Sequence, residues 1–460
     1  MKKLLTAAVT TAVGMAFAGS ALATETRINS LSAAGGLDGG FNEKSITIHD
    51  SSNINVFPQY MVAYKNSVDV DNTAGTTYGS MNIRYALSDD PAPPVLMLFG
   101  KRSAWSPVTN QGGIMKTATG AAANTAFALA GGLPNYTGSV ADPTNHQFGI
   151  GFGMKAGESV RLGATLSLGG NRKDAINPNS INTSSGNLID DEQSNTWVDF
   201  NVGVGFDINE VNSLDFGLNI QAGTFTNMLG GQARYASNGL YDIALTAKGE
   251  FMVSQISKIV PFLRINYDSR SVVGVSQNQG DQFGSQVGTV NNTWIILGTD
   301  LAIAPPNMEG VLIQPGLGLL YHMASASGHS TPDGNAATTQ EDASNIMPWY
   351  GFAAEAKAFE WLYLRLGARQ VISRTNQNNT LPVAAAGQAG VTNETHFSTV
   401  TNTVSTGFGI KLMGWDLDLN VNPAFFNNGI AAVTGNATGA PANSAPGAGW
   451  AIDWALGYDW

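Results

Sequence analysis

The histidines and carboxylates bound the chemistry open to this chain of 460 residues. Five histidines are present (His49, His146, His322, His329 and His396) and there is no cysteine. That excludes disulfides, thiolate nucleophiles and cysteine-held metals. A hydrolytic triad needs a histidine within reach of a serine or a carboxylate. His396 with Ser398 offers such a spacing, but in no recognisable motif. His322, His329 and Asp333 could meet at a metal, and Asp190-Asp191-Glu192 could hold a divalent cation, yet both stretches read more simply as solvated loop. Gly149, Gly151 and Gly153 are spaced for a strand, not for the strand–turn–helix cradle that binds phosphate. No catalytic residue, metal or cofactor is expected. A net charge of −11 leaves no basic footprint for nucleic acid.

The charges that are present recur with a period of two. Charged residues make up 12% of the chain, about half the usual share, so where they fall is informative. From Val198 to Asp207, Val198, Phe200, Val202, Val204 and Phe206 alternate with Asp199, Asn201, Gly203, Gly205 and Asp207. The same split runs through 148–155, 160–168, 214–221, 263–268, 362–369 and 415–420. Such alternation marks strands with two unlike faces. Across them the polar face carries nine Lys or Arg and eleven Asp or Glu, and the apolar face carries no charge. One Arg or Lys at a lipid midplane costs about 2–4 kcal/mol, so an uncharged apolar face suits contact with hydrocarbon. The face of Gly, Asn, Asp and Arg is then assigned to a wet interior. On it, Arg84, Arg161, Arg264, Arg365 and Arg369, opposed by Asp199, Asp215, Asp416 and Asp418, are the expected pore-lining residues.

The elements that position these residues form an all-β fold, a transmembrane antiparallel up-and-down β-barrel. Short connections near 88–93, 157–158, 209–210, 254–258, 305–309, 359–360 and 413–414 alternate with long ones rich in Asn, Ser, Gly and Thr, from 102–145 to 422–449. Short turns on one side and long loops on the other are the pattern of outer-membrane barrels, with the long loops outside the cell. Fifteen strands are read from Tyr78 to Trp460. A chain that ends in the periplasm needs one more outgoing strand, placed near Val56–Lys65, for about sixteen in all. Fourteen strands with an N-terminal plug is the alternative.

Residues 1–23 read as an export signal: Lys2 and Lys3, an apolar core from Leu4 to Ala18, then the small-residue cleavage site Ala21-Leu22-Ala23. Residues 24–55 are expected to be a periplasmic arm or a lumen plug, and 56–460 the barrel with its long extracellular loops. The stretch Arg102–Asn145 holds an apolar run, Ala118–Leu133, which should fold either into the lumen or over its mouth.

Two resemblances add to this. Trp454, Leu456, Tyr458 and the terminal Trp460 share one face of a last strand. That ending resembles the recognition signal of bacterial outer-membrane barrels, and implies a Gram-negative outer membrane and the barrel assembly machinery as a partner. The segment from Ile46 through His49-Asp50-Ser51-Ser52-Asn53 to Phe57-Pro58 resembles the long-chain fatty-acid transporter family. Members of that family have a fourteen-stranded barrel and an N-terminal plug with an Asn-Pro-Ala motif. Here Phe57-Pro58-Gln59 keeps the proline alone.

The expected function is an outer-membrane channel for passive diffusion of small hydrophilic solutes, selecting by size and by the charged lumen. A plugged barrel transporting hydrophobic small molecules is the alternative, and a structural or adhesion barrel the third. Outer-membrane lipid and lipopolysaccharide are the expected surroundings. Resemblance to sixteen-stranded porins points to a homotrimer.

Overall fold

The computed structural model describes residues 25–32, 44–72, 79–90, 92–104, 144–181, 188–229, 233–276, 286–306, 308, 310–330, 337–381, 391–421 and 452–459. They build a closed barrel of sixteen antiparallel strands, each hydrogen-bonded to its chain neighbours, with β1 closing on β16. The strands are β1 (Ser67–Asn72), β2 (Gly79–Ala86), β3 (Val95–Ala104), β4 (Thr144–Ala156), β5 (Val160–Ile181), β6 (Leu188–Asp207), β7 (Ser213–Leu229) and β8 (Ala233–Ser254). They continue with β9 (Ser257–Ser276), β10 (Gln286–Ile303), β11 (Val311–Ser330), β12 (Ala337–Phe359), β13 (Leu362–Leu381), β14 (Val391–Leu412), β15 (Trp415–Val421) and β16 (Ile452–Asp459).

The apolar phase of each strand points outward. Phe148, Ile150 and Phe152 of β4, Leu162, Leu166 and Leu168 of β5, and Val198, Phe200 and Val202 of β6 are all exposed on the barrel surface. Their polar or glycine alternates face inward: Thr165, Ser167, Asn201 and Asp215 are buried. Strands β5–β14 run to 17–23 residues, about twice what a tilted strand needs to cross a bilayer. The upper wall therefore stands clear of the hydrocarbon. On the outside of β12–β14 the apolar surface gives way to a polar ladder in which Tyr350 donates to Gln370, and Gln370 donates to Asn402. At the short-turn end, Phe359 stacks on Trp361, and Trp415 lies 4.6 Å from Tyr458. Aromatic rings at both limits of the apolar band are the girdles expected of a membrane barrel.

The strand count agrees with the sequence reading, but the first strand does not lie where it was expected. Val56–Lys65 is not part of the wall, which begins at Ser67. The alternation of Val56, Pro58, Tyr60, Val62 and Tyr64 mimics a strand, but Val56 to Met61 are buried in unbroken succession. A wall strand would turn every second residue to lipid. Pro58 instead starts a 3-10 turn, Pro58–Ala63, following another at Ser51–Asn55; proline's fixed φ and missing N–H suit that first position.

These turns, helix α1 (Glu25–Ser32) and the one-turn helix α2 (Lys44–Thr47) make up the described N-terminal segment. Helix α1 packs against β12–β16 and β1, α2 against β9, and the second 3-10 turn against β3–β6. A single short segment that touches opposite sides of a closed barrel must lie inside it.

Candidate functional site

The candidate site is the lumen at the level of this internal segment, which is held on two sides in different ways. On one side the wall offers a groove made by glycine. Gly153, Gly163, Gly203 and Gly217 are successive cross-strand partners on β4, β5, β6 and β7, so they form one rung. The chain from Val56 to Met61 runs along this rung, from strand to strand. A Cβ on Gly217 would meet the Val56 carbonyl, one on Gly163 the Pro58–Gln59 backbone, one on Gly203 the Gln59 side chain, and one on Gly153 the Met61 Cβ at 3.0 Å. Glycine is needed here for close approach of two backbones.

Directed hydrogen bonds fix the segment in the groove. Asp215 accepts from Gln59 Nε2 at 3.0 Å and from the Tyr60 hydroxyl at 2.8 Å. Asn219 donates to the Asn55 carbonyl at 3.0 Å. Arg161 reaches Asp207 at 2.9 Å and Asp215 at 3.3 Å, with its guanidinium 5.5 Å from the Tyr60 ring. Lys248 lies 4.8 Å over the same ring and 3.0 Å from Glu250, which also takes His49 Nε2 at 2.6 Å. Burial raises the Tyr60 hydroxyl above its ordinary range, and the neighbouring Asp215 carboxylate adds to the effect. The hydroxyl stays a neutral donor.

On the opposite side the wall offers small residues and charge. Ala353, Gly367 and Ser405 form a rung on β12–β14, and the end of α1 seats on it: Ser405 donates to the Ser30 carbonyl at 3.0 Å, and a Cβ on Gly367 would meet the Leu31 backbone at 2.5 Å. Arg27 binds Glu355 bidentately, with Nε and Nη2 each at 2.9 Å from a carboxylate oxygen. Arg365 meets the same Glu355 at 2.6 Å and Asp418 at 2.6 Å. Arg27 also contacts Asp50 at 3.4 Å. Two guanidiniums thus share three carboxylates in a buried site, and a proton on one carboxylate balances the set. Asp50 is suited to carry it: burial raises its carboxyl to about 7, against the pull of Arg27 and of the Ser52 N–H it caps.

The expected pore-lining residues all face inward. Arg84 is bonded to Asp69 and Ser67 of β1, Arg264 donates to Thr246, Asp416 pairs with Lys411, and Asp199 lies 3.5 Å from Gln147. Arg369 is buried on β13. Arg161 and Asp215 come together at the glycine side, and Arg365 and Asp418 at the α1 side. Trp454, Leu456 and Tyr458 share the outward face of β16, with Ala455 buried between them; Trp460 lies outside the described residues, as do 1–23 and the 105–143 part of the long loop. Sequence reasoning missed Arg27, Asp50, Glu355, Gln59 and Tyr60. An Arg in a segment otherwise free of long-range cues, and glycines in phase on four consecutive strands, were the available signals.

The lumen is also less polar than expected. Val95, Met97, Phe99, Phe262, Trp294, Ile296, Leu320, Met347 and Trp349 project inward and join Ile46, Ile54, Phe57 and Met61 of the internal segment in one apolar cluster.

No protein-family model and no curated protein matches the chain. Solved structures resemble it distantly. The translocator domain of the autotransporter NalP from Neisseria meningitidis is 11% identical, over 66% of this chain and 90% of that one, with a TM-score of 0.30. The alcaligin outer-membrane receptor FauA from Bordetella pertussis is 10% identical, over 77% of this chain and 60% of that one, with a TM-score of 0.39. The FrpB iron transporter from Neisseria meningitidis is 8% identical, over 87% and 82%, with a TM-score of 0.32. By its closed antiparallel wall, its apolar exterior and its aromatic girdles, the protein is a bacterial outer-membrane β-barrel.

Proposed function

We propose that the protein is an outer-membrane conduit for small molecules, closed at rest by its own N-terminal segment, with cargo that is at least partly apolar. The observation that supports this is the docking of one segment on opposite sides of the lumen, continuous with an inward-facing apolar cluster. In a membrane barrel, the apolar residues expected on the lipid face are of little use inside a water column. Inside, they suit cargo that sheds water. Arg27, Glu355, Arg365 and Asp418 serve as the ionic anchor of the plug, and Gln59, Tyr60, Asp215 and Arg161 as the anchor in the groove. No catalytic step and no cofactor is part of this reading.

Passive diffusion of hydrophilic solutes is the second reading, favoured by the density of charge on the inner wall. Ion conductance of the purified protein in planar bilayers separates the two. The plugged conduit predicts a nearly silent barrel that conducts when either anchor is broken. Large steady conductance of the unaltered protein would remove the plugged reading. For either, we propose lipopolysaccharide at the upper wall, insertion by the barrel assembly machinery through the β16 face, and a homotrimeric assembly.

A further inference from the structure

Three tryptophans break the rule that the inner phase of these strands is polar or small. Trp197, Trp294 and Trp349 all project inward, and they stand nine or ten residues before the periplasmic ends of β6, β10 and β12 at Asp207, Ile303 and Phe359. All three therefore lie further from the short-turn ends of their strands than Gly217 of the glycine rung, which is four residues from the start of β7 at Ser213. Each is at most 3% exposed. Among the described residues none of the three indole N–H groups has a hydrogen-bond partner. A buried donor left unmade is costly, so three of them require an explanation in what else occupies the lumen.

Two of the three belong to one shelf. Trp349 is seated against Gly298 of β10 and Gly318 of β11, where added Cβ atoms would meet its ring at 2.9 Å and 2.7 Å. The Phe262 ring lies 6.2 Å away, tilted by 30°. Trp294 is stacked on its cross-strand partner His322, ring centroids 3.5 Å apart. Ile296, Leu320 and Met347 complete the shelf and connect it to the plug. Beside it, Asp268 accepts from Asn292 at 2.9 Å, and Arg264 donates to the neutral Thr246 hydroxyl at 2.9 Å.

We propose that this shelf is a binding site for an uncharged, ring-bearing small molecule carrying a hydrogen-bond acceptor, its rings against Phe262 and Trp349 and its acceptor oxygen on the indole N–H of Trp294 or Trp349. Aromatic walls favour a planar body. Neutral indole donors satisfy a carbonyl without burying a charge, whereas a carboxylate would also bear the desolvation cost of its charge. The proposal deepens the conduit reading and rests on it for its place in transport. Binding is measured without flux, so a conducting wild-type barrel would remove that reading and leave the binding result standing.

The test uses the purified full-length protein and the neutral fluorescent ketone 6-propionyl-2-dimethylaminonaphthalene, excited directly and read on its own emission, with 2-naphthoate as a charged competitor. Saturable binding is expected, displaced poorly by naphthoate. Trp294→Phe and Trp349→Phe keep a ring but remove the donor; the one that supplies the N–H should weaken binding about five- to tenfold, the effect of one hydrogen bond, and the double replacement should do the same. Val371→Phe, opposite Trp349 on β13, adds bulk to the shelf without removing an indole donor and should also lower affinity. Trp361→Phe, in the outer periplasmic girdle, should change nothing. Undiminished binding by the Trp294→Phe/Trp349→Phe pair, no saturable binding at all (indoles satisfied by ordered water only), or equal affinity for naphthoate would each overturn the proposal.

Discussion

The two walls that hold the plug achieve the same result by opposite means. On β4–β7 the wall recedes: four glycines in one rung let the Val56–Met61 backbone lie against it, and neutral or singly charged hydrogen bonds to Asp215 and Asn219 set the register. On β12–β15 the wall reaches out: Glu355, Arg365 and Asp418 meet Arg27 in a buried ionic cluster, and α1 needs only a small-residue seat. Shape complementarity of the first kind is intolerant of any added atom. Charge complementarity of the second kind tolerates added volume near the helix better, but depends on every partner keeping its charge. A plug that needs both walls is released when either fails, and each wall can be attacked alone.

The largest effect is expected at the glycine rung. Gly163→Leu puts a side chain where the Pro58–Gln59 backbone lies, and neither backbone can yield. Since the chain has no cysteine, a single cysteine replacing the buried Thr47 reports plug position through labelling by an impermeant maleimide. Labelling in the Gly163→Leu background should approach the rate of a fully exposed thiol, with steady conductance in planar bilayers. If Gly163→Leu stays silent and unlabelled, the rung does not hold the plug.

Next comes the ionic wall. Glu355→Ala leaves Arg27 and Arg365 buried without their shared carboxylate. Removing one partner of a buried pair costs about 3–5 kcal/mol, or roughly a hundred- to several thousandfold in labelling rate. Double replacement of Arg27 and Glu355 by Met and Leu should recover much of the loss, because no charge is then stranded. A smaller change, about tenfold, is expected for Tyr60→Phe, which deletes one hydroxyl from Asp215 while Gln59 and Arg161 still satisfy it. A Tyr60→Phe effect larger than that of Glu355→Ala would invert the ranking of the two walls.

The wall itself was legible from period-two alternation because lipid on one face and something polar on the other leave the same mark on every strand. What that polar face encloses was not legible. Gly203 and Gly217 read as solvent-lining positions, since a glycine beside water and a glycine beside another backbone look identical in one dimension. Arg27 and Glu355 are separated by 328 positions, and no local pattern pairs residues at that distance. Val56–Lys65 was misplaced in the wall because a short stretch of alternating large residues is shared by strands and by segments buried on every side. Inward-facing tryptophans could have been noticed, as Trp294 and Trp349 fall in the phase that otherwise holds Asn292 and Gly351.

The smallest expected effect is also the one that distinguishes the walls most cleanly, because it is a dependence on pH. Asp50 lies 3.4 Å from Arg27, with Asp418 a further negative neighbour, and burial raises its carboxyl from 3.8 to about 7 in the docked plug. In an undocked plug the carboxyl returns to water and to its ordinary value. The docked state therefore binds the proton more tightly. Its advantage is complete below about 4 and is lost progressively as the pH rises through 7. Closed times in planar bilayers should shorten between pH 5 and pH 8 (two values chosen on the order of one unit or more either side of the transition). Asp50→Asn removes this carboxyl and should reduce the slope over that range, while Gly203→Ala, acting at the other wall, should shorten the closed time and leave the slope in place. An undiminished slope in Asp50→Asn would place the titrating group elsewhere in the lumen and strip the ionic wall of its pH sensitivity.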